Sequence, residues 1–252
     1  MIRLDATTIL LQWAVGGLLF LWVTCRHRQV GIGYGWLLRI TYMVMLVSAF
    51  VVAVLTEVVI EREIIMMGVV AATTVPLLSS YSKRKEENKY LNPNLDLVAP
   101  ILGIAALVVA ALDAGGPPAL AIARTLIGAI FLGVVSDAML LGHWYLVQPG
   151  LTRAPLLELV RLIGIIWPFE LAVLLYPTGM LSVINGNIDD GYGGLLGWFW
   201  LACTLMTIVL VFVTRAALKE RQYSAVMAAT GLLYLAILTG FGMDLVARAT
   251  LA

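Results

Sequence analysis

Long apolar stretches alternate with short polar stretches along the whole chain. A helix needs about 20 apolar residues to cross a hydrocarbon core about 30 Å thick, so apolar runs bounded by charge, proline or glycine can be counted directly. The sequence has eight such runs, at residues 6–24, 36–60, 64–82, 95–113, 118–148, 155–178, 194–216 and 223–249. They are apolar on every side, which favours helices over the alternating strands of a membrane barrel. The pattern predicts an all-α integral membrane protein with about eight transmembrane helices.

Composition narrows the classes of function that the chain can have. Of its 252 residues, 62% are hydrophobic and 12% are charged, whereas soluble domains are about half apolar and a quarter charged. Little chain is left for a soluble catalytic domain, and the small net charge of +1 indicates no nucleic-acid partner. The first run is expected to be a retained span, because Asp5 precedes it and no small-residue cleavage motif follows.

Basic residues collect on one side of the predicted spans. Twelve of the 16 lysines and arginines fall on the side shared by the odd-numbered loops, where cytoplasmic loops gather positive charge. These twelve are Arg26, Arg28, Arg39, Lys83, Arg84, Lys85, Lys89, Arg153, Arg161, Arg215, Lys219 and Arg221. The distribution predicts a multi-pass protein of the cell inner (cytoplasmic) membrane with both termini outside the cytoplasm.

The two halves of the sequence resemble each other. At an offset of about 122 residues, Trp22 falls on Trp144 and Arg39 falls on Arg161, and at about 133 residues 87–90 fall on 220–223. The difference predicts an insertion around residues 185–194. We therefore expect two tandem four-helix transmembrane repeats, 1–114 and 115–252, related by an axis along the membrane normal. A chance match between apolar helices is the alternative.

Polar residues concentrate in the fifth run and just after it. Bound quinone needs hydrogen-bond donors for its oxygens, an aromatic ring to stack on, and an imidazole or carboxylate that exchanges protons with water. The residues that meet these needs, and form the predicted quinone site, are His143, Trp144, Tyr145, Gln148, Glu158 and Arg161. The alternative for Trp144 and Tyr145 is a place in the aromatic belt of the membrane interface. At the repeat offset His143 corresponds to Leu21, so a single site is expected.

Two acidic residues lie deeper in the apolar runs. Asp137 and Glu170 would serve a proton path or, alternatively, a simple interhelical hydrogen bond with one acid protonated. The two histidines, His27 and His143, lie in unlike positions, which argues against a b-type haem. No clustered ligands predict a metal site, no catalytic residue is assigned, and Cys25 and Cys203 are read as structural thiols.

Eight spans in two four-helix halves, with both termini outside, resemble the NrfD/PsrC/DmsC group of quinol-interacting membrane subunits. The resemblance is architectural and covers the whole chain. It implies a subunit of a respiratory electron-transfer complex, without its own redox metal, that exchanges quinol and anchors an iron–sulfur or cytochrome partner. Two other functions fit the sequence: a small-solute or ion/proton-coupled transporter, with midplane carboxylates and a proline-broken sixth helix, and a structural assembly subunit.

Overall fold

A computed structural model describes residues 2–82 and 93–252 of the chain. Within that part of the chain the protein is all-helical, as the sequence predicts. A 3₁₀-helix at Pro93–Leu97 precedes the fourth helix. The α-helices of the described residues are α1 (Ala6–Cys25), α2 (Ile32–Leu55), α3 (Ile60–Ser82), α4 (Val98–Asp113), α5 (Pro118–Val147), α6 (Ala154–Leu175), α7 (Gly179–Ile184), α8 (Leu195–Ala217) and α9 (Tyr223–Thr250). The basic loop at 83–89 and the repeat match at 87–90 lie outside the described residues.

Seven helical segments are long and apolar enough to cross a membrane, by length and composition. They are α1, α2, α3, the segment Pro93–Asp113, α5, α8 and α9. Helix α6 has 22 residues, a length of about 33 Å, but it contains three ionisable side chains, Glu158, Arg161 and Glu170. Helix α6 is the one predicted span that is not among these seven.

The outward faces of these helices are apolar. Val44, Val51 and Val54 of α2 are exposed, as are Leu205 and Phe212 of α8, although each helix also has a buried face. A soluble helix would present polar residues on its outer face, whereas hydrocarbon accepts these side chains without cost. The chain is therefore a multi-pass membrane protein whose exposed helix faces meet lipid.

The chain divides into two compact units. The first unit is Asp5–Gly133, and the second comprises Val134–Ala252 with the N-terminal residues up to Leu4. In the first unit, α1 and α3 each pack against α2 and α4. In the second, α6, α8 and α9 pack against one another, and the short α7 contacts all three. The predicted repeat boundary after residue 114 and the repeat itself stay predictions.

The turn between α2 and α3 differs from its predicted place. The sequence indicates a turn at residues 61–63, but Glu61 and Glu63 lie in the first turn of α3. Acidic side chains are favourable there because the helix N-terminus carries a partial positive charge. Hydrogen bonds of the buried Arg62 also favour this position of the turn. Its Nη2 donates to Glu63 Oε1 at 2.6 Å and to the Glu57 carbonyl at 3.2 Å. The arginine thus ties the turn to the helix that follows it.

Candidate functional site

Helices α5 and α9 approach closely in the second unit. A Cβ atom at Gly142 would lie 3.0 Å from Oγ1 of Thr230 and 3.4 Å from Cδ1 of Leu233, so the glycine allows the approach. Near the C-terminus of α5, the Tyr223 hydroxyl of α9 donates to the Tyr145 carbonyl at 3.0 Å. These contacts fix the surface of α5 that carries the predicted site.

His143 forms a pair with Tyr234. Its Nδ1 lies 3.2 Å from the Tyr234 hydroxyl, and the two rings meet edge to face with centroids 6.3 Å apart. Both side chains are exposed, on helices whose length and composition suit a membrane span. The pair therefore presents polar atoms on the exposed surface of these two helices, about 6 Å along α5 from its last residue. The sequence analysis missed Tyr234, whose only signal is a hydroxyl inside an apolar run.

The other predicted residues of α5 point in different directions. The indole Nε1 of Trp144 donates to Gln148 Oε1 at 3.0 Å, within the same helical stripe. Tyr145 is buried, and its hydroxyl donates to the Thr152 carbonyl. Since successive residues of a helix are 100° apart, Tyr145 lies about 160° from His143 around the axis. The two side chains thus occupy different sides of α5.

Two further predicted residues lie on α6. Glu158 is half-buried and Arg161 is exposed. They are three residues apart, so they lie on neighbouring positions of one face. A single cleft formed by these residues with His143, Tyr145 and Gln148 stays a prediction.

Arg153, just before α6, organises the connection between α8 and α9. Its guanidinium donates to the carbonyls of Leu218 at 3.2 Å, of Arg221 at 2.9 Å and of Gln222 at 2.9 Å, and also to that of Glu220. Carbonyls at the end of a helix lack intrahelical partners, and a cation there also favours the helix dipole. Arg153 therefore holds the connection between α8 and α9 in place, at the same end of the unit as Tyr145.

Acidic side chains are buried in the second unit. Asp137 of α5 and Glu170 of α6, the predicted proton-path residues, are both 0% exposed. Asp244 of α9 is also 0% exposed, and α9 packs against α6, the helix that carries Glu170. Asp244 in turn faces Arg248 one helical turn later, with Nη1 and Oδ2 3.8 Å apart. Neither Asp244 nor Arg248 is among the site residues predicted from the sequence. Their four-residue spacing within an apolar run is the signal that could have placed them on one helix face.

Asp190 lies in the loop before α8. Its Oδ1 accepts from the N–H groups of Gly194 at 2.8 Å and of Tyr192 at 3.0 Å, and its Oδ2 accepts from that of Leu196 at 2.8 Å. The hydrogen bond from Gly194, with the two others, lowers the pKa of the Asp190 carboxyl below its usual value, against the opposing effect of desolvation. The carboxylate therefore closes the loop and caps the start of α8.

A metal centre finds no support in the part of the chain that the structure describes. No group of three or more histidine, cysteine, aspartate or glutamate side chains there could hold a metal ion. Comparison of the chain with protein-family models, with curated proteins and with solved structures finds no match.

Proposed function

We propose that this protein is an integral-membrane subunit of a respiratory or electron-transfer complex that binds a quinone or quinol and anchors redox partner subunits. The observation that carries the proposal is the exposed pair of His143 and Tyr234 on two helices that are long and apolar enough to cross a membrane. A mobile quinone stays in the bilayer through its apolar tail, so its headgroup must reach hydrogen-bonding groups from the side. This pair offers such groups where a headgroup can arrive from lipid.

The chemistry of the pair suits quinone oxygens. Imidazole has a second ring nitrogen, Nε2, which accepts or donates according to its tautomer, and the tyrosine hydroxyl does both. A quinone headgroup supplies the redox chemistry when it is bound, while His143 and Tyr234 would hold and orient it. In this proposal Tyr234 has the role that was predicted for Tyr145, whose hydroxyl donates to the Thr152 carbonyl.

The neighbouring residues of α5 fit a wall of the site. Trp144 and Gln148 are half-buried and joined by their hydrogen bond, so the indole plane is held beside the pair. An indole so held is an apolar surface for a ring. Glu158 and Arg161 of α6 would connect the site to water at the predicted cytoplasmic side. Electrons would come from an attached iron–sulfur protein or cytochrome, as the resemblance to the quinol-interacting subunits implies.

The membrane arrangement belongs to the same proposal. Helix α6 would be the eighth span, because it is as long as its neighbours and its fully buried Glu170 points away from lipid. Both termini would lie outside the cytoplasm, in the cell inner membrane. The mutual packing of α1 to α4 supports a first four-helix bundle, and that of α6, α8 and α9 supports a second one with α5.

A transporter coupled to ions or protons is the second candidate. The observation that favours it is the buried set of Glu170, Asp244 and Arg248, since ionisable groups inside a membrane frequently mark ion or proton pathways. A transporter is expected to act alone in a vesicle, whereas a quinol-interacting anchor needs redox subunits. Co-purification of redox subunits with the intact protein therefore separates the two candidates.

Quinone binding is tested on the purified protein in lipid nanodiscs. A short-chain menaquinone is titrated while tryptophan fluorescence is followed, for the wild type and for His143→Leu and Tyr234→Phe. Losing one hydrogen bond costs about 0.5–1.5 kcal/mol, so each variant should bind about two- to more than tenfold more weakly. His143→Gln, which keeps a donor and an acceptor, should recover part of the affinity.

The matched control is Tyr192→Phe, at an exposed tyrosine of the loop before α8, which should bind like the wild type. Thermal unfolding of each variant checks that the helices remain assembled. Unchanged affinity in a folded His143→Leu protein would remove this residue from a quinone site. If the wild type did not bind menaquinone, the proposed quinone-binding function would be wrong.

A further inference from the structure

The buried face of α8 is polar over most of its length. Residues spaced alternately by four and by three positions share one face of a helix. On α8 the residues of this face are Trp200, Thr204, Thr207, Val211 and Thr214. Each of them is at most 4% exposed, so the face is turned into the second unit. It extends for about 21 Å, which is about two-thirds of a hydrocarbon core.

Three polar groups on this face have no hydrogen-bond partner among the described residues. They are the indole Nε1 of Trp200 and the hydroxyl groups of Thr204 and Thr214. Other buried threonines are satisfied by their own helix, since Thr73 and Thr230 donate to the carbonyl four residues earlier at 2.8 and 2.9 Å. The backbone of α8 does not satisfy Thr204 and Thr214 in this way.

Water is the usual partner of such enclosed groups. A buried polar group without a partner is costly, and buried water typically bonds to about three groups of this kind. Trp200 and Thr204 are neighbours one helical turn apart, so one water molecule can bond to both. The indole N–H only donates, whereas the hydroxyl group donates and accepts. The pair therefore suits a water molecule that accepts from Trp200.

Neighbouring helices continue this face toward Thr214. Thr207 Oγ1 lies 2.8 Å from Thr239 Oγ1 of α9, which adds a second hydroxyl group beside the face. Val211 is the one apolar residue of the face, and Gly164 of α6 lies opposite it. A Cβ atom at Gly164 would lie at an ordinary contact distance of 3.6 Å from Val211 Cγ1. The glycine thus leaves space of about a methyl group at the apolar interruption.

The polar face reaches the depth of a buried acid. Helices α8 and α9 are antiparallel, because Thr207 meets Thr239 and Cys203 meets Gly242. Asp244 lies about 7.5 Å beyond Thr239 along α9, while Thr204 and Trp200 lie about 4.5 and 10.5 Å from Thr207 in the same direction. Asp244 is therefore at the depth of the Trp200 and Thr204 pair, although on another side of α9 from Thr239.

We propose that the buried face of α8 binds internal water, with one site at Trp200 and Thr204 and another at Thr214. The two sites are joined through the hydroxyl groups of Thr207 and Thr239 and the space at Gly164. The ligand is water rather than a metal cation, because an indole N–H cannot coordinate a cation, and this face carries no positive charge for an anion.

The bound water would form a hydrated path through the second unit. Thr214 lies three residues before the end of α8, at the predicted cytoplasmic side, and Trp200 lies at the depth of Asp244. Such a path suits the coupling of ions or protons in the second candidate function. It does not rest on quinone binding at His143.

Water-edited NMR of the ¹⁵N-labelled protein in nanodiscs tests the site at Trp200. The indole N–H signal of Trp200, identified by its loss in Trp200→Phe, should receive magnetisation from water although the atom is enclosed. Thr204→Val keeps the shape but removes a hydrogen bond of the water, so the transfer should fall about two- to tenfold. Thr204→Ser should preserve it. The matched control is Thr73→Val, at a buried threonine that its own helix satisfies, which should leave the transfer unchanged.

The joined path is tested with Gly164→Ala, whose added methyl group fits without a clash. It should also lower the transfer to Trp200, because it fills the space beside Val211. An unchanged transfer in this variant would overturn the connection between the two sites.

Thermal unfolding gives an independent test of Thr204. If its hydroxyl group holds water, Thr204→Val loses a hydrogen bond and should melt at a lower temperature. A higher melting temperature would show that the hydroxyl group had no partner, and would overturn the water site. A wild-type Trp200 signal without transfer, in a spectrum where the exposed Asn187 shows it, would overturn the site as well. Failure of quinone binding in the separate titration would leave these expectations unchanged.

Discussion

Arg39 and Asp96 form a bidentate ion pair in the first unit, although 57 residues separate them in the sequence. Nε and Nη2 of the guanidinium donate to Oδ1 and Oδ2 of the carboxylate at 2.8 and 2.7 Å. Both residues are 5% exposed. The pair joins the N-terminal half of α2 to the 3₁₀-helix at Pro93–Leu97, so it holds this half of α2 against the residues that lead into α4.

Breaking this pair should destabilise the protein strongly. Replacing one partner of a buried ion pair leaves an uncompensated charge and costs about 3–5 kcal/mol, so Asp96→Asn should lower the stability by an amount of this order. Arg39→Lys keeps the charge but loses the planar two-point contact, and should cost less. Denaturant unfolding in detergent measures both.

The matched control for Arg39→Lys is Arg161→Lys, at the predicted repeat counterpart. Arg161 is exposed, so its replacement should change stability by less than about 0.5 kcal/mol. Equal effects at Arg39 and Arg161 would contradict the structural role of the ion pair.

Gly16 should not tolerate a larger side chain. A Cβ atom there would lie 1.8 Å from the carbonyl oxygen of Ala129, so backbone blocks it and α1 and α5 would have to separate. Overpacking typically costs about 1–3 kcal/mol, and we expect Gly16→Ala to destabilise the protein by an amount in the upper half of that range or more. The control is Gly231→Ala, on an exposed position of α9 with nothing within 4 Å, which should be neutral or slightly stabilising. Similar melting temperatures of the two variants would argue against this close approach.

The loop before α8 should loosen in acid. The folded pKa of Asp190 is lowered, chiefly by the N–H of Gly194. Its contribution to stability is therefore fully present above the unfolded pKa, near 3.8, and is lost as the pH falls through the lower folded pKa. Amide exchange of residues 191–197 should accelerate relative to the rest of α8 once the pH passes below that window.

Asp190→Asn should reproduce this loosening at neutral pH, since an amide lacks the charge that strengthens the three hydrogen bonds. Asp189→Asn is the control, because Asp189 accepts from one backbone N–H, that of Gly191 at 2.9 Å. Protection that is the same in both variants would show that the Asp190 carboxylate does not close the loop.

The proposed orientation can be checked by labelling. In a protein with Cys25 and Cys203 replaced by serine, single cysteines are introduced at Asn187, before α8, and at Lys219, after it. An impermeant maleimide added to intact cells should label Asn187→Cys and not Lys219→Cys, and permeabilised cells should show labelling of both. The reverse pattern in intact cells would place the termini in the cytoplasm.

The helices themselves were predictable because each apolar run is long and its neighbours are polar. The helix bounds depart from the runs by up to five residues, most clearly where α2 ends at Leu55 although the predicted run continues to Ile60. Apolarity marks what lies in hydrocarbon, but not where the backbone leaves the helical conformation. The same limit misplaced the turn at residues 61–63, because acidic residues suit both a turn and the first turn of a helix.

The polar residues of α5 were predictable as a cluster, but their directions were not. The sequence places His143, Trp144, Tyr145 and Gln148 at the end of one apolar helix. The packed structure was needed to show that His143 faces outward to meet Tyr234, whereas Tyr145 faces inward to Thr152. A helix that is apolar all round has no amphipathic pattern to reveal its buried side, so the packing of α9 on Gly142 sets these directions.

The buried ionisable residues could also be predicted only in part from the sequence. The sequence shows that Glu170, Asp244 and Arg248 lie in or near apolar runs, where each needs a partner. The fold was needed to show that α6 packs against α9, that Glu170 and Asp244 are fully buried, and that Arg248 Nη1 lies 3.8 Å from Asp244 Oδ2. Apolar runs specify insertion into the membrane one helix at a time, whereas the choice of neighbouring helix depends on shape and hydrogen bonding across helices.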